Sequence, residues 1–220
     1  MKKAPFSLKI IQITDIVIGV DEAGRGSWAG PVVAACVLWS GKNPVKNTLQ
    51  DSKKMTEKDR AVTYDEILML AEQWQLSYWV GIISHEMIDT VGIREANRLA
   101  MQEALTQIQS TKYKVQNRGF LLKIDGRDNY SFDIPWLPEP EYIVRGDSKI
   151  KQIMAASILA KVTRDRIMTE YASDFPGYGF EKHKWYGTHF HQEAIKHRGI
   201  ASIHRKSYKP IKLASSWKGL

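Results

Sequence analysis

Asp21 and Glu22 stand side by side at the end of the apolar run Ile18-Gly19-Val20 and lead directly into Ala23-Gly24-Arg25-Gly26. Two carboxylates at a buried strand end need a counter-charge, and a Gly-Arg-Gly turn offers backbone N–H groups and a guanidinium to an anion. Further along, the apolar run Gly119–Ile124 ends in Asp125-Gly126, and Tyr142–Val144 leads into Arg145-Gly146-Asp147. If the four acids converge, carboxylates about 5 Å apart repel by roughly 3 kcal/mol per pair at an effective dielectric near 20. Such a cluster requires cations or raised pKa values. Oxygen ligands with no cysteine nearby favour Mg²⁺ or Mn²⁺ over zinc, and two such ions can hold the attacking water and the leaving oxygen of an in-line phosphoryl displacement. Because neighbouring side chains on a strand point to opposite faces, Asp21 and Glu22 are expected to share a site only if the strand ends or bulges there.

Lys53 and Lys149 are candidate phosphate contacts, whereas Lys161 reads as a solvated surface lysine. Thr188 has the character of an N-cap for a short helix ending at Gly199, so His189 and His191 are expected to be solvated or against phosphate, not to bind a metal.

The elements that must position these groups follow from periodicity. Ile16–Val20, Pro31–Trp39 and Leu76–Ile83 read as strands, as do Gly119–Ile124 and Tyr142–Val144. Thr56-Glu57-Lys58-Asp59 is a capping-box pattern, and the helix it opens is expected to bury Tyr64, Ile67, Leu68, Ala71 and Trp74. Ile93, Ala96, Ala100, Ala104 and Ile108 recur at helical spacing. Asp133–Glu141, with three prolines, reads as an irregular connection, and Ile153–Tyr171 as a long helix whose buried stripe is interrupted at Arg164-Asp165-Arg166.

With 220 residues, 43% of them hydrophobic, the chain is expected to form one domain over 1–220, with a leader over about 1–14 and a basic, aromatic segment over about 172–220. In that last part, Lys182 to Lys212 carries eight Lys or Arg against one acid, Glu193. A net charge of +8 and a pI near 9.4 suit a polyanionic partner. The single cysteine, Cys36, lies in an apolar run, which excludes an internal disulfide and fits a buried thiol in a reducing compartment. Pro5, Lys9 and Gln12 break the region after Met1-Lys2-Lys3, and no stretch has the apolar length to span a bilayer. A monomeric cytoplasmic protein with no membrane association is expected.

Asp21-Glu22-Ala23-Gly24-Arg25-Gly26 with Gly30-Pro31-Val32 resembles the signature of the type 2 ribonucleases H, specifically the bacterial ribonuclease HII family. Asp51-Ser52-Lys53-Lys54, Ile124-Asp125-Gly126, Gly146-Asp147-Ser148, Ala155 to Asp165, Gly179-Phe180 with His183-Lys184, and His204 to Pro210 extend the resemblance over nearly the whole chain. It implies a ribonuclease H-like α/β fold, with a mixed central sheet flanked by helices and a helical, loop-rich C-terminal part. It also implies Asp21, Glu22, Asp125 and Asp147 as catalytic, metal-binding carboxylates. The activity implied is a metal-dependent cut of RNA in RNA–DNA hybrids and 5′ to single ribonucleotides embedded in duplex DNA, leaving 3′-hydroxyl and 5′-phosphate ends. By the same resemblance, Gly24, Arg25, Gly26 and Tyr186 occupy the positions that recognise the 2′-hydroxyl in that family. Trp185 replaces a usual glycine before that tyrosine, Ser27-Trp28 replaces a pair such as Pro-Leu, and Gly92 stands where Asn is common.

Overall fold

The computed structural model describes residues 16–47, 49–110, 119–179 and 186–214. Strands β1 (Ile16–Ala23), β2 (Val32–Trp39) and β3 (Ser77–Ile83) form an antiparallel meander. On the other side of β1, β4 (Phe120–Asp125) and then β5 (Pro140–Ile143) pair in parallel, giving the order β3-β2-β1-β4-β5. The mixed sheet expected from sequence is present.

Every residue of β2 is buried, because both faces of the sheet are covered. Val32, Ala34, Cys36 and Leu38 join a core beneath α3 (Ile93–Thr106), while Val33, Ala35, Val37 and Trp39 join another beneath α4 (Lys151–Asp174). Removing an Ile or Leu side chain of this kind from water contributes about 1.5–3 kcal/mol. Gly19 lets α4 lie directly on β1, since a Cβ there would overlap the backbone of Gln152 and Ile153. Helix α1 (Glu57–Glu72) is capped by Thr56, which accepts the Asp59 N–H at 3.1 Å, and packs beside α4. A third cluster joins the end of α4 to α5 (His189–Arg198) and α6 (Lys209–Ala214), through Met168, Ile195, Ile203 and Ile211.

Several expectations are corrected. β1 does not end or bulge at Asp21-Glu22: its register with β2 runs unbroken to Ala23. β5 begins at Pro140, inside the stretch read as irregular; proline is compatible with the first position of an edge strand. Trp74 lies beyond the end of α1 at φ 59° and is 69% exposed, so it leaves the buried face. Helix α2 (His85–Val91), between Ser84 and Gly92, is too short to show a period. Arg164 and Asp165, read as an interruption, are buried within α4. Cys36 is buried as expected, with its thiol donating to the Ala104 carbonyl, and burial pushes it up to about 12. Trp185, Phe180, His183, Lys184 and the expected leader lie outside the described residues. Among the described residues no helix is long and apolar enough to cross a membrane.

Candidate active site

Parallel pairing places the acids. Val20 is in register with Ile124, so Asp21 and Asp125 fall next to each other at the C-terminal ends of β1 and β4. Both alternate with residues of the α3-side core and therefore face α4. Asp147 arrives from a single 3-10 turn, Gly146–Ser148, entered through Arg145 in the left-handed conformation at φ 56°. Carboxylate oxygens of Asp21, Asp125 and Asp147 lie within 4.8 Å of one another. The Gly146 N–H donates to Asp125 at 2.6 Å, the Glu22 N–H to Asp21 at 2.7 Å, and Lys53 Nζ to Asp147 at 3.1 Å.

Glu22 is not part of this trio. With β1 continuing regularly, its side chain projects on the other face, beside Asn97 of α3 and near Arg25. It nevertheless lines the same surface depression as Asp21, Asp125, Lys53, Lys161, Gly24–Gly26 and Tyr186. Asp21, Glu22 and Asp125 thus reach one opening from two faces of the sheet, with Asp147 beside Asp21 and Asp125.

Electrostatics shows what the cluster lacks. Burial, and then the charges of Glu22 and Asp125, hold Asp21 well above the usual carboxylate range. Burial raises Glu22 from 4.5 to about 7, against a lowering by Arg25, and burial followed by Asp147 raises Asp125. Between about pH 4.5 and 7 the folded chain therefore keeps a proton on Glu22 that the unfolded chain has shed, so this group weakens the fold as pH rises through that window. A cation favours the ionised form and opposes that loss. In chelator, the melting temperature is expected to fall as pH rises from about 5 to 8 through this group, and added Mg²⁺ or Mn²⁺ is expected to raise it more at the upper pH. Scanning calorimetry with and without the ions checks this. An equal metal effect at both pH values would contradict it.

The loop between β1 and β2 is held from beneath by two buried arginines. Arg164 donates from Nε to the Pro31 carbonyl at 3.1 Å and from Nη2 to Ala29 at 3.2 Å. Arg205 donates from Nε to Gly30 at 2.9 Å, from Nη1 to Ser27 at 2.7 Å and Arg25 at 3.1 Å, and from Nη2 to Pro31 at 2.9 Å. The Tyr208 hydroxyl adds a 2.6 Å bond to the Arg25 carbonyl. In a trans peptide the C=O of one residue and the N–H of the next point in opposite directions, so drawing the Arg25 carbonyl inward turns the Gly26 N–H away from the arginines. Gly24, at φ 91°, has no room for a Cβ, which would overlap the Arg164 guanidinium. Burial, and then repulsion from Arg205, lowers Arg164 to about 10.

Arg25 is ion-paired with Asp128, which ties its guanidinium to the loop after β4. Tyr186 is 42% exposed, and its ring lies 3.8 Å from where a Gly26 Cβ would stand. Lys149 is not among the residues of the depression: its Nζ donates to the Val144 carbonyl at 2.8 Å. Lys161 does line it, contrary to the surface reading, and pairs with Asp165 at 2.8 Å. His191 is fully buried, not solvated, while His189 is exposed at the start of α5.

Sequence reasoning also missed Ser157, which faces Asp21, and Asn97, Asp128 and Arg205. For Asn97 the signal is a polar residue on the apolar face of α3; for Arg205 it is membership of the His204 to Pro210 stretch, since periodicity gives none. The donor set suits a hard divalent cation, since the acids cluster without histidine or cysteine among them.

A family model described as Ribonuclease HII matches residues 18–211. A ribonuclease HII of Leuconostoc mesenteroides is 42% identical over 198 residues, covering 90% of this chain and 72% of that protein. One of Chlamydia trachomatis is 44% identical over 197 residues, covering 89% and 83%. Among solved structures, the ribonuclease H2 of Pyrococcus horikoshii OT3 superposes with a TM-score of 0.69 at 22% identity, over 91% of this chain and 97% of that one.

Proposed function

The chain belongs to the ribonuclease HII family and is a divalent-metal-dependent endoribonuclease of RNA–DNA hybrids; from that premise we propose that it also cuts 5′ to single ribonucleotides embedded in duplex DNA, leaving 3′-hydroxyl and 5′-phosphate ends. The observation that carries this reading is the opening of the carboxylate cluster onto Gly24–Gly26 and Tyr186 within one depression. Asp21, Asp125 and Asp147 would hold the ions, Mn²⁺ or Mg²⁺ and two in number during catalysis, with Glu22 reaching them from the other face of β1. When bound, such ions supply the charge that activates water and stabilises the leaving oxygen.

The rest is done by the chain itself. Asp21 and Asp125 are fixed by strand pairing and by the 2.6 and 2.7 Å bonds from backbone N–H groups. Arg164 and Arg205 hold the turn so that its amide side faces substrate, and Tyr186 closes the opposite wall. A 2′-hydroxyl, donor and acceptor at once, is the group by which such a turn tells ribose from deoxyribose. Because Arg25 is occupied by Asp128, its backbone carries more of this recognition than its guanidinium. Lys53, paired with Asp147 yet largely exposed, would meet a backbone phosphate, and the exposed Lys149 would meet one outside the depression. The whole chain acts as one catalytic domain, a cytoplasmic monomer, with its basic C-terminal segment against the duplex.

Three duplexes of one sequence test the substrate reading: all-DNA, DNA with one ribonucleotide, and a continuous hybrid. Cutting is expected on the second at the bond 5′ to the ribonucleotide, on the third along the RNA strand, and not on the first. Robust cutting of the hybrid with none of the single-ribonucleotide duplex would overturn recognition of an isolated 2′-hydroxyl.

A further inference from the structure

His191 and His204 are both fully buried, and their Nε2 atoms approach to 3.0 Å. Two imidazole nitrogens at that distance need one proton between them, so one ring donates and the other accepts. Which does which is fixed at one end. The Ala201 backbone N–H donates to Nδ1 of His204 at 2.8 Å, and a peptide proton cannot be given up, so that nitrogen is an acceptor. The Ala201 carbonyl, 3.1 Å from the same nitrogen, already receives the backbone N–H of His204 at 3.1 Å.

Neutral His204 then carries its proton on Nε2 and donates to His191. His191 in turn carries its own on Nδ1, 3.1 Å from the Tyr186 carbonyl. That carbonyl also accepts the Thr188 N–H at 2.8 Å. Burial pushes His204 down to about 4, which keeps the ring neutral near pH 7. The rings of Trp28, against His191 at 5.6 Å, and Tyr178, against His204 at 5.7 Å, fix the planes.

Tyr186 belongs to no helix or strand, so its position opposite Gly26 depends on bonds of this kind. We propose that His191 and His204 are positioning residues for ribonucleotide selection: a one-directional chain of hydrogen bonds, from the Ala201 N–H through both imidazoles to the Tyr186 carbonyl, sets the tyrosine against the Gly24–Gly26 turn. This rests on the reading that Tyr186 and the turn select a 2′-hydroxyl. Trp28, where the related signature often has a smaller apolar residue, packs against His191 with its ring tilted by 39° and so contributes to the same positioning.

Two measurements test it. Histidine nitrogen NMR of the wild-type protein near neutral pH is expected to show the Nε2–H tautomer for His204 and the Nδ1–H tautomer for His191; the opposite tautomer in either ring contradicts the chain. His191→Phe keeps a ring without a donor, whereas His191→Asn keeps an amide donor near the Nδ1 position. The ratio of kcat/KM on the single-ribonucleotide duplex to that on the continuous hybrid is expected to fall about tenfold in His191→Phe, mostly through KM, and to recover largely in His191→Asn. The hybrid suffers less because it offers a 2′-hydroxyl at every register. An unchanged ratio in His191→Phe, or no recovery in His191→Asn, overturns the proposal. If His191→Phe does not fold, the wild-type tautomers decide. A wild-type protein that leaves the single-ribonucleotide duplex uncut overturns the underlying reading instead.

Discussion

Asp21→Asn is expected to lower cleavage by about a thousandfold or more and, in chelator, to raise the melting temperature. The two effects have one cause. Asp21 is buried, and burial, then Glu22 and Asp125, already drive its carboxyl toward the protonated form. An amide of the same shape removes the charge that neighbours and desolvation oppose, a gain on the order of 1 kcal/mol in the metal-free protein near pH 7. The same amide is a poor ligand for a hard cation, so metal should no longer stabilise the variant as it does the wild type. Asp125→Asn should lose activity to a similar degree but gain less stability, because Asp125 is only partly buried, so less desolvation opposes its charge, and the backbone N–H groups of both Gly146 and Asp147 favour its ionised form. Calorimetry in chelator beside cleavage assays in metal separates these outcomes. Wild-type cleavage in Asp21→Asn, or a drop in its metal-free stability, would contradict the placement of this carboxylate at the centre of the cluster.

Arg205→Met is expected to be the most destabilising single change near the site. Its guanidinium serves the carbonyls of Arg25, Ser27, Gly30 and Pro31 and faces the Tyr208 hydroxyl at 2.9 Å, all from a fully buried position. Methionine fills much of the volume and satisfies none of these acceptors. Each buried acceptor left without a donor costs about 1–3 kcal/mol, and partial relaxation of the loop brings the expected total to roughly 3–5 kcal/mol. Arg205→Lys keeps the charge but cannot span carbonyls of four residues with one ammonium, so it should recover only a minor part. Urea unfolding of the three proteins measures this. A loss below about 1 kcal/mol for Arg205→Met would show that the loop is held by something other than this fork.

Much of the site was legible in the chain because strand ends announce themselves. Asp125 follows an apolar run and precedes Gly126, and Asp21 precedes a Gly-Arg-Gly turn, so local pattern located two carboxylates of one cluster. That β1 and β4 pair in parallel, which makes those carboxylates neighbours, is a property of the sheet order. Alternation correctly implied a conflict between Asp21 and Glu22, but the expected resolution, an end or bulge in the strand, did not occur. β1 instead runs on to Ala23, and the two acids address the depression from opposite faces.

The residues beneath the turn could not be read in this way. Arg205 bonds carbonyls 174 to 180 positions earlier in the chain, and its polarity alone suggests a surface. Arg164, in a helix otherwise read from its apolar stripe, reads as a break in the pattern for the same reason. His191 and His204, too, are joined only by the fold of the C-terminal part. In each case a polar side chain is buried because it meets a partner distant in sequence, which local periodicity does not record.

In the proposed reading, a cation-dependent carboxylate centre and a ribose-reading turn act on the same phosphodiester. It is tested most directly by mapping the ends produced from a DNA duplex with one ribonucleotide, in chelator and across a titration of Mn²⁺ and of Mg²⁺. No product is expected in chelator and, with either ion, a single cut immediately 5′ to the ribonucleotide that leaves a 3′-hydroxyl and a 5′-phosphate. A cut that persists in chelator, or one that falls on the 3′ side of the ribonucleotide, would contradict it.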